Sequence, residues 1–229
     1  MFTKKILAAA LFALAPFAAQ AALTTSPPGW PPAGSSGLGA VQFNQVNYNN
    51  GGFVAMGAHG YKNGPTLPNN GVDTFFAQQG IYPGEPTKNY ANWSFDFAFN
   101  TGNCSTCSVF LEVDVDPTAA VEYRTLFNLT TLRNPITNAI IYGAAGAESW
   151  NMEMPFMNAA LGYDFNPFGA SATSFRLSMV EGTDLTPTAL VGPAAEITVS
   201  VPEPGTVALT GLAFAGMVFA RRRKATKQA

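Results

Sequence analysis

The sequence predicts an all-β exported domain, an antiparallel β-sandwich of jelly-roll-like type, set between two terminal address segments. Three observations predict it. Apolar and polar residues alternate with a period of two in run after run, turn-forming Gly, Pro and Asn clusters separate the runs, and no long amphipathic helical period occurs. Composition agrees. Only 11% of the 229 residues are charged, against roughly 25% in an average soluble protein. Gly (22), Pro (17) and Phe (18) are plentiful. Helical surfaces use many Glu, Lys and Arg, and Gly and Pro are poor in helix interiors. The composition therefore argues against a helix-rich cytosolic enzyme.

Residues 1–21 read as a secretory signal helix. Lys4 and Lys5 supply the positive start, and an apolar run follows over residues 6–19, interrupted by Pro16. Ala19-Gln20-Ala21 fits the small-x-small cleavage pattern, which places the cut between Ala21 and Ala22. The Sec export machinery is the partner such a signal implies. Residues 22–40 read as a linker, because Ser26-Pro27-Pro28-Gly29-Trp30-Pro31-Pro32 and the Gly/Ser/Ala stretch after it favour extended chain.

The exported domain is expected over residues 41–200. Trp93, Phe95, Phe97 and Phe99 share one face, with Ser94, Asp96 and Ala98 on the other. Val109, Leu111, Val113 and Val115 oppose Phe110, Glu112, Asp114 and Asp116. Similar alternation runs through Tyr123, Thr125, Phe127 and Leu129, through Trp150, Met152, Met154 and Phe156, through Phe175, Leu177 and Met179, and through Ile197, Val199 and Val201. Turns separate them at Asn134-Pro135, at Asn166-Pro167-Phe168-Gly169 and at Glu181-Gly182-Thr183-Asp184. Residues 118–127 are the best helical alternative. Strands with one wet and one dry face suit antiparallel sheets. The last strand runs directly into the C-terminal segment, and the chain is expected to leave from a sheet edge. Residues 49–65 echo residues 69–85, as in Asn49/Asn69 and Gly51/Gly71. Two copies are too few for a solenoid, and the echo is read as composition.

Charge excludes one class of partner. Residues 22–200 hold five cations (Lys62, Lys88, Arg124, Arg133, Arg176) and 13 acids, an excess of eight negative charges. That sign opposes polyanion binding, the gripping of nucleic-acid phosphates included, and adhesion to anionic membrane surfaces.

Candidate chemistry is sparse. Cys104 and Cys107, in an oxidising compartment, are expected to form a disulfide that clips a hairpin loop. Flanking strands argue against a redox site, and two Cys with one His are too few for zinc. Glu112, Asp114 and Asp116 place three carboxylates on one strand face. A Ca²⁺ ion would relieve their repulsion; the reading preferred is a solvated sheet face, so no metal and no cofactor is assigned. As a glycosidase pair they would need a second acid across a sugar-sized cleft. His59, in Gly57-Ala58-His59-Gly60-Tyr61, reads as a polar loop residue, and no nucleophile elbow, His-Glu-x-x-His or P-loop occurs. No catalytic residue is therefore assigned. The aromatics Trp30, Tyr48, Tyr61, Tyr82 and Tyr90, amid many Asn and Gln, suit either sugar stacking or core packing.

The C-terminal end carries the most specific signal. Val201-Pro202-Glu203-Pro204 is followed by an apolar run from Val207 to Ala220 and then by Arg221-Arg222-Arg223-Lys224. Counted from Gly205, the run spans ~24 Å as a helix, just under a ~30 Å hydrocarbon core, so slight thinning or Arg snorkelling lets it cross. The cation cluster would hold the end in the cytoplasm, and residues 225–229 would be a cytoplasmic tail. Residues 201–224 resemble the PEP-CTERM sorting signal of Gram-negative bacteria. The resemblance implies a transient inner-membrane anchor, processing by an exosortase-type membrane transpeptidase, and delivery to the cell surface or extracellular matrix of a cell that makes exopolysaccharide. The expected role is structural, adhesive or glycan-associated, without catalysis. The alternatives are a secreted carbohydrate-active enzyme using Glu112, Asp114 or Asp116, and a Ca²⁺-stabilised binding module.

Overall fold

A computed structural model describes residues 22–24, 42–62, 64–115, 122–162, 164–183, 185, 189–203 and 205. The cleavage residues Ala19 and Ala21, Trp30, Asp116, Pro204 and the segment from Val207 through Ala220, Arg221, Arg222, Arg223 and Lys224 lie outside the described residues.

The chain is mostly β. One sheet has the order β1-β2-β4-β7, formed by β1 (Phe43–Asn47), β2 (Phe53–Gly60), β4 (Trp93–Asn100) and β7 (Ala145–Trp150), all antiparallel. The other has the order β3-β9-β8-β5-β6, formed by β3 (Thr74–Phe76), β9 (Ala195–Val201), β8 (Ser171–Glu181), β5 (Cys107–Asp114) and β6 (Tyr123–Asn128). Val54, Met56 and Ala58 of β2, the aromatics Trp93, Phe95, Phe97 and Phe99 of β4, and the inward residues of β5, β8 and β9 share one core cluster. Across the two sheets Phe95 stacks on Phe175 with centroids 4.3 Å apart and planes 24° from parallel. Each such fully buried Phe contributes about 2–3 kcal/mol through burial alone.

Several expectations change. β9 does not lie at an edge: it pairs in parallel with β3 and antiparallel with β8. The short β3 covers the flank that β9 would otherwise expose, so one pair in the sheet is parallel. The alternation read from Trp150 to Phe156 is not a strand. β7 ends at Trp150, and Pro155–Leu161 form a helix, α1. Pro155 fits its first turn, where no intrahelical N–H bond is lost. Gly162, at φ 76°, closes it by donating its N–H to Asn158. Within residues 118–127 the described part is strand β6, not helix. A bulge beside Leu111/Glu112 leaves Phe127 opposite Leu111 on the core side while Tyr123 and Thr125 face outward.

Candidate functional site

The most distinctive surface feature is a cluster of three tyrosines. Tyr61 follows β2, and Tyr82 and Tyr90 stand on the connection between β3 and β4. Backbone bonds bring them together: the N–H of Tyr61 donates to the Asn92 carbonyl (2.9 Å), that of Tyr82 to the Tyr90 carbonyl (2.8 Å), and that of Asn92 to the Gly80 carbonyl (3.1 Å). Tyr61 packs edge-to-face against Tyr82 at 5.2 Å and Tyr90 at 5.5 Å. All three rings are half-buried. Gly84 lies beneath Tyr82, and a Cβ there would meet the end of its ring and push it aside.

Charges rim the cluster. Lys62 Nζ lies 5.5 Å from the Tyr61 centroid and Lys88 Nζ 5.6 Å from that of Tyr90. Glu85 pairs with both, at 3.0 Å and 3.3 Å. The hydrogen bond from Lys62 holds the Glu85 carboxyl below the usual range, and the same bond lifts Lys62. Partial burial raises the Tyr61 hydroxyl. The result is a braced cluster of half-buried rings beside charged side chains, and Tyr, with an apolar ring and a polar hydroxyl, is a residue suited to recognition surfaces. The other aromatic candidate among the described residues differs: Tyr48 is buried, and its hydroxyl donates to the Pro193 carbonyl at 2.8 Å.

The carboxylates of β5 do not form a solvated face. Glu112 is buried, and both its oxygens are occupied: Oε2 accepts from Arg176 Nε (2.8 Å) and the Ser178 hydroxyl (2.9 Å), and Oε1 accepts from Arg176 Nη2 (2.7 Å). Cross-strand register places Arg176 directly opposite Glu112, and its guanidinium lies 3.9 Å over the Tyr123 ring. Asp114 is buried too and accepts the backbone N–H of Glu122 at 2.9 Å. Glu112 and Arg176 line a cavity of about 480 Å³ together with Tyr123, Leu185, Leu190 and Glu196. Burial pushes the Glu196 carboxyl up, opposed by Arg176. Among the described residues no group of three or more His, Cys, Asp or Glu is placed to hold a metal ion.

His59 is no loop residue. It sits buried on the outer face of β2, and its Nδ1 lies 2.7 Å from Asp96 Oδ2 on β4. Burial lifts the Asp96 carboxyl, and the His59 contact opposes the lift. Cys104 and Cys107 are joined, with Cα atoms 5.4 Å apart. They clip no hairpin: β4 and β5 belong to different sheets, so the bridge sits at the corner where the chain changes sheet. The echo at offset twenty is local turn chemistry. Asn49-Asn50-Gly51 and Asn69-Asn70-Gly71 each end on a Gly at positive φ, 78° and 81°.

At the other end of the domain, β9 closes on Val201, which is buried opposite Ser171, while Pro202 and Glu203 are exposed. The family of the PEP-CTERM protein-sorting motif matches residues 200–224. The chain carries a PEP-CTERM sorting signal. The motif implies export, a membrane-anchored C-terminal sorting segment of the Gram-negative type, and processing by an exosortase. Ser200 and Val201 thus belong both to the sorting motif and to strand β9. No curated protein and no solved structure matches the chain.

Proposed function

We propose that this PEP-CTERM protein is a non-catalytic component of the cell surface or extracellular matrix. Its β-sandwich ectodomain would bind polysaccharide through the Tyr61, Tyr82 and Tyr90 surface after exosortase processing. The observation that carries the reading is the mutual bracing of the three rings. A sugar's C–H face is apolar and weakly positive, and it complements the negative face of an aromatic ring; Tyr hydroxyls and flanking amides complement the sugar hydroxyls. Rings already held in place lose little freedom when a ligand stacks on them. The alternative of a carbohydrate-active enzyme is less well supported, because hydrogen bonds already occupy both oxygens of Glu112.

The test is affinity electrophoresis of the full-length chain, in mild detergent, through gels containing the producing strain's own exopolysaccharide. Wild type is expected to be retarded, and Tyr82→Ala with Tyr90→Ala to lose roughly tenfold in affinity. Equal mobility of the two proteins would sink the reading.

A further inference from the structure

We infer that the tyrosine surface is selective for acidic polysaccharide, with Lys62 and Lys88 receiving the carboxylates of stacked uronate residues. This rests on the glycan-binding reading above and names the class of glycan.

Three observations carry it. Lys62 and Lys88 are the only lysines in residues 22–200, and both stand on this cluster. Their ammonium groups lie over the Tyr61 and Tyr90 rings, 5.5 Å and 5.6 Å from the centroids, on side chains that are 47% and 52% exposed. The carboxylate of a uronate projects from the edge of the sugar ring, so a sugar stacked on an open ring face of the cluster presents it to these exposed ammonium groups. Finally, two lysines share one Glu85, which leaves a unit of positive charge. Elsewhere residues 22–200 hold three cations against 12 acids. The patch is thus an exception in sign, and at physiological salt the Debye length of about 8 Å confines its pull to the ligand it touches.

Glu85 has a defined part. It keeps both ammonium groups beside the rings in the absence of ligand, and an incoming carboxylate takes up donors that the shared Glu85 leaves free, since each ammonium has three. Phosphate polymers fit less well. Double-stranded DNA carries a charge every ~1.7 Å, which the surrounding acids oppose, and among the described residues the cluster contains no Arg fork to grip phosphate.

The experiment runs the full-length chain in mild detergent through gels containing alginate, polygalacturonate, dextran or double-stranded DNA, at about 0.15 M salt. Wild type is compared with the double variant Lys62→Gln, Lys88→Gln, whose exposed positions leave the melting temperature unchanged as a folding control. The expected result is tighter retention by both uronate polymers than by dextran or DNA, with that preference falling about fivefold in the variant. Equal retention by uronates and dextran, or a preference that survives in the variant, overturns acidic selectivity while leaving the tyrosine surface as a glycan site. Retention by none of the sugar polymers overturns both. Tighter retention by DNA than by alginate overturns the uronate assignment in favour of phosphate.

Discussion

His59 Nδ1 and Asp96 Oδ2 lie 2.7 Å apart with both side chains buried on the outer face of one sheet. Taking one partner from a buried pair leaves the other desolvated and uncompensated. Asp96→Ala, which leaves the buried His59 Nδ1 without its hydrogen-bond partner, is therefore expected to cost about 2 kcal/mol in urea denaturation, and Asp96→Asn, which keeps a hydrogen-bonding group, less. The pair also sets a pH dependence. Burial lifts the folded-state pKa of Asp96, so the folded state holds that proton more tightly than the unfolded chain does. Stability carried by the proton is complete below the unfolded value of about 3.9 and is lost as pH rises through the folded value. Asp96→Asn should remove this contribution, so its melting temperature should fall less between pH 4 and pH 8 than that of wild type. Parallel curves would refute the assignment.

Glu112 and Arg176 offer a cleaner separation of charge from packing. Arg176→Met leaves the buried Glu112 without its bidentate partner and should cost about 3 kcal/mol. Combining it with Glu112→Leu removes both charges and should recover stability to within about 1 kcal/mol of wild type. Chemical denaturation of the two single variants and the double variant gives the coupling directly. Additive losses would mean that the ion pair and its contacts act independently.

The Cys104–Cys107 bridge closes a very short loop. On the chain-entropy account such a loop stabilises by only about 2 kcal/mol. Cys104→Ser with Cys107→Ser should therefore leave a folded domain with a modestly lower denaturation midpoint. A variant that fails to fold would show that the bridge holds the corner between β4 and β5 in a way loop entropy does not describe.

The legible parts of the sequence are those where one strand face stays polar or where a signal is wholly local. β4, β5 and β8 alternate because large apolar residues face the core and Asp96, Glu112 or Arg176 face away. β2 does not alternate in polarity, since Ala55, Gly57 and His59 on its outer side are also buried. β3 has three residues and no period to read, and β7 begins with Ala145-Gly146-Ala147, too small to mark a face. The run from Trp150 to Phe156 misleads because Trp150 closes β7 and Met152 then enters the core from irregular chain before Pro155 starts a helix. Tyr61 joins the tyrosine cluster through a backbone bond to the distant Asn92, and no local pattern encodes that meeting. The sorting signal is the opposite case: Pro-Glu-Pro, apolar run and cation cluster stand in sequence order.

The overlap of that signal with β9 restricts where it is cut. Ser200 accepts a backbone hydrogen bond from Ala77, and Val201 is buried opposite Ser171 at the end of a strand paired on both sides. A protease-like cleft binds its substrate as extended single chain, so a cut before Val201 would require stripping β9 from two neighbours. Pro202 and Glu203 are exposed and need no such opening. Their prolines also favour the extended conformation a cleft requires. The mature protein from its native host is thus expected to end at Val201 or beyond and to lack the segment from Val207 onward, as read by mass spectrometry of membrane and extracellular fractions. Placing Asp at Val201 puts an unpaired charge in the core and should loosen the end of β9 by about 2–3 kcal/mol. Its cut sites should then spread toward Ser200 and Thr198. A wild-type terminus inside β9, or an unaltered terminus in the Asp variant with a loosened strand, would show that the fold does not limit the processing enzyme.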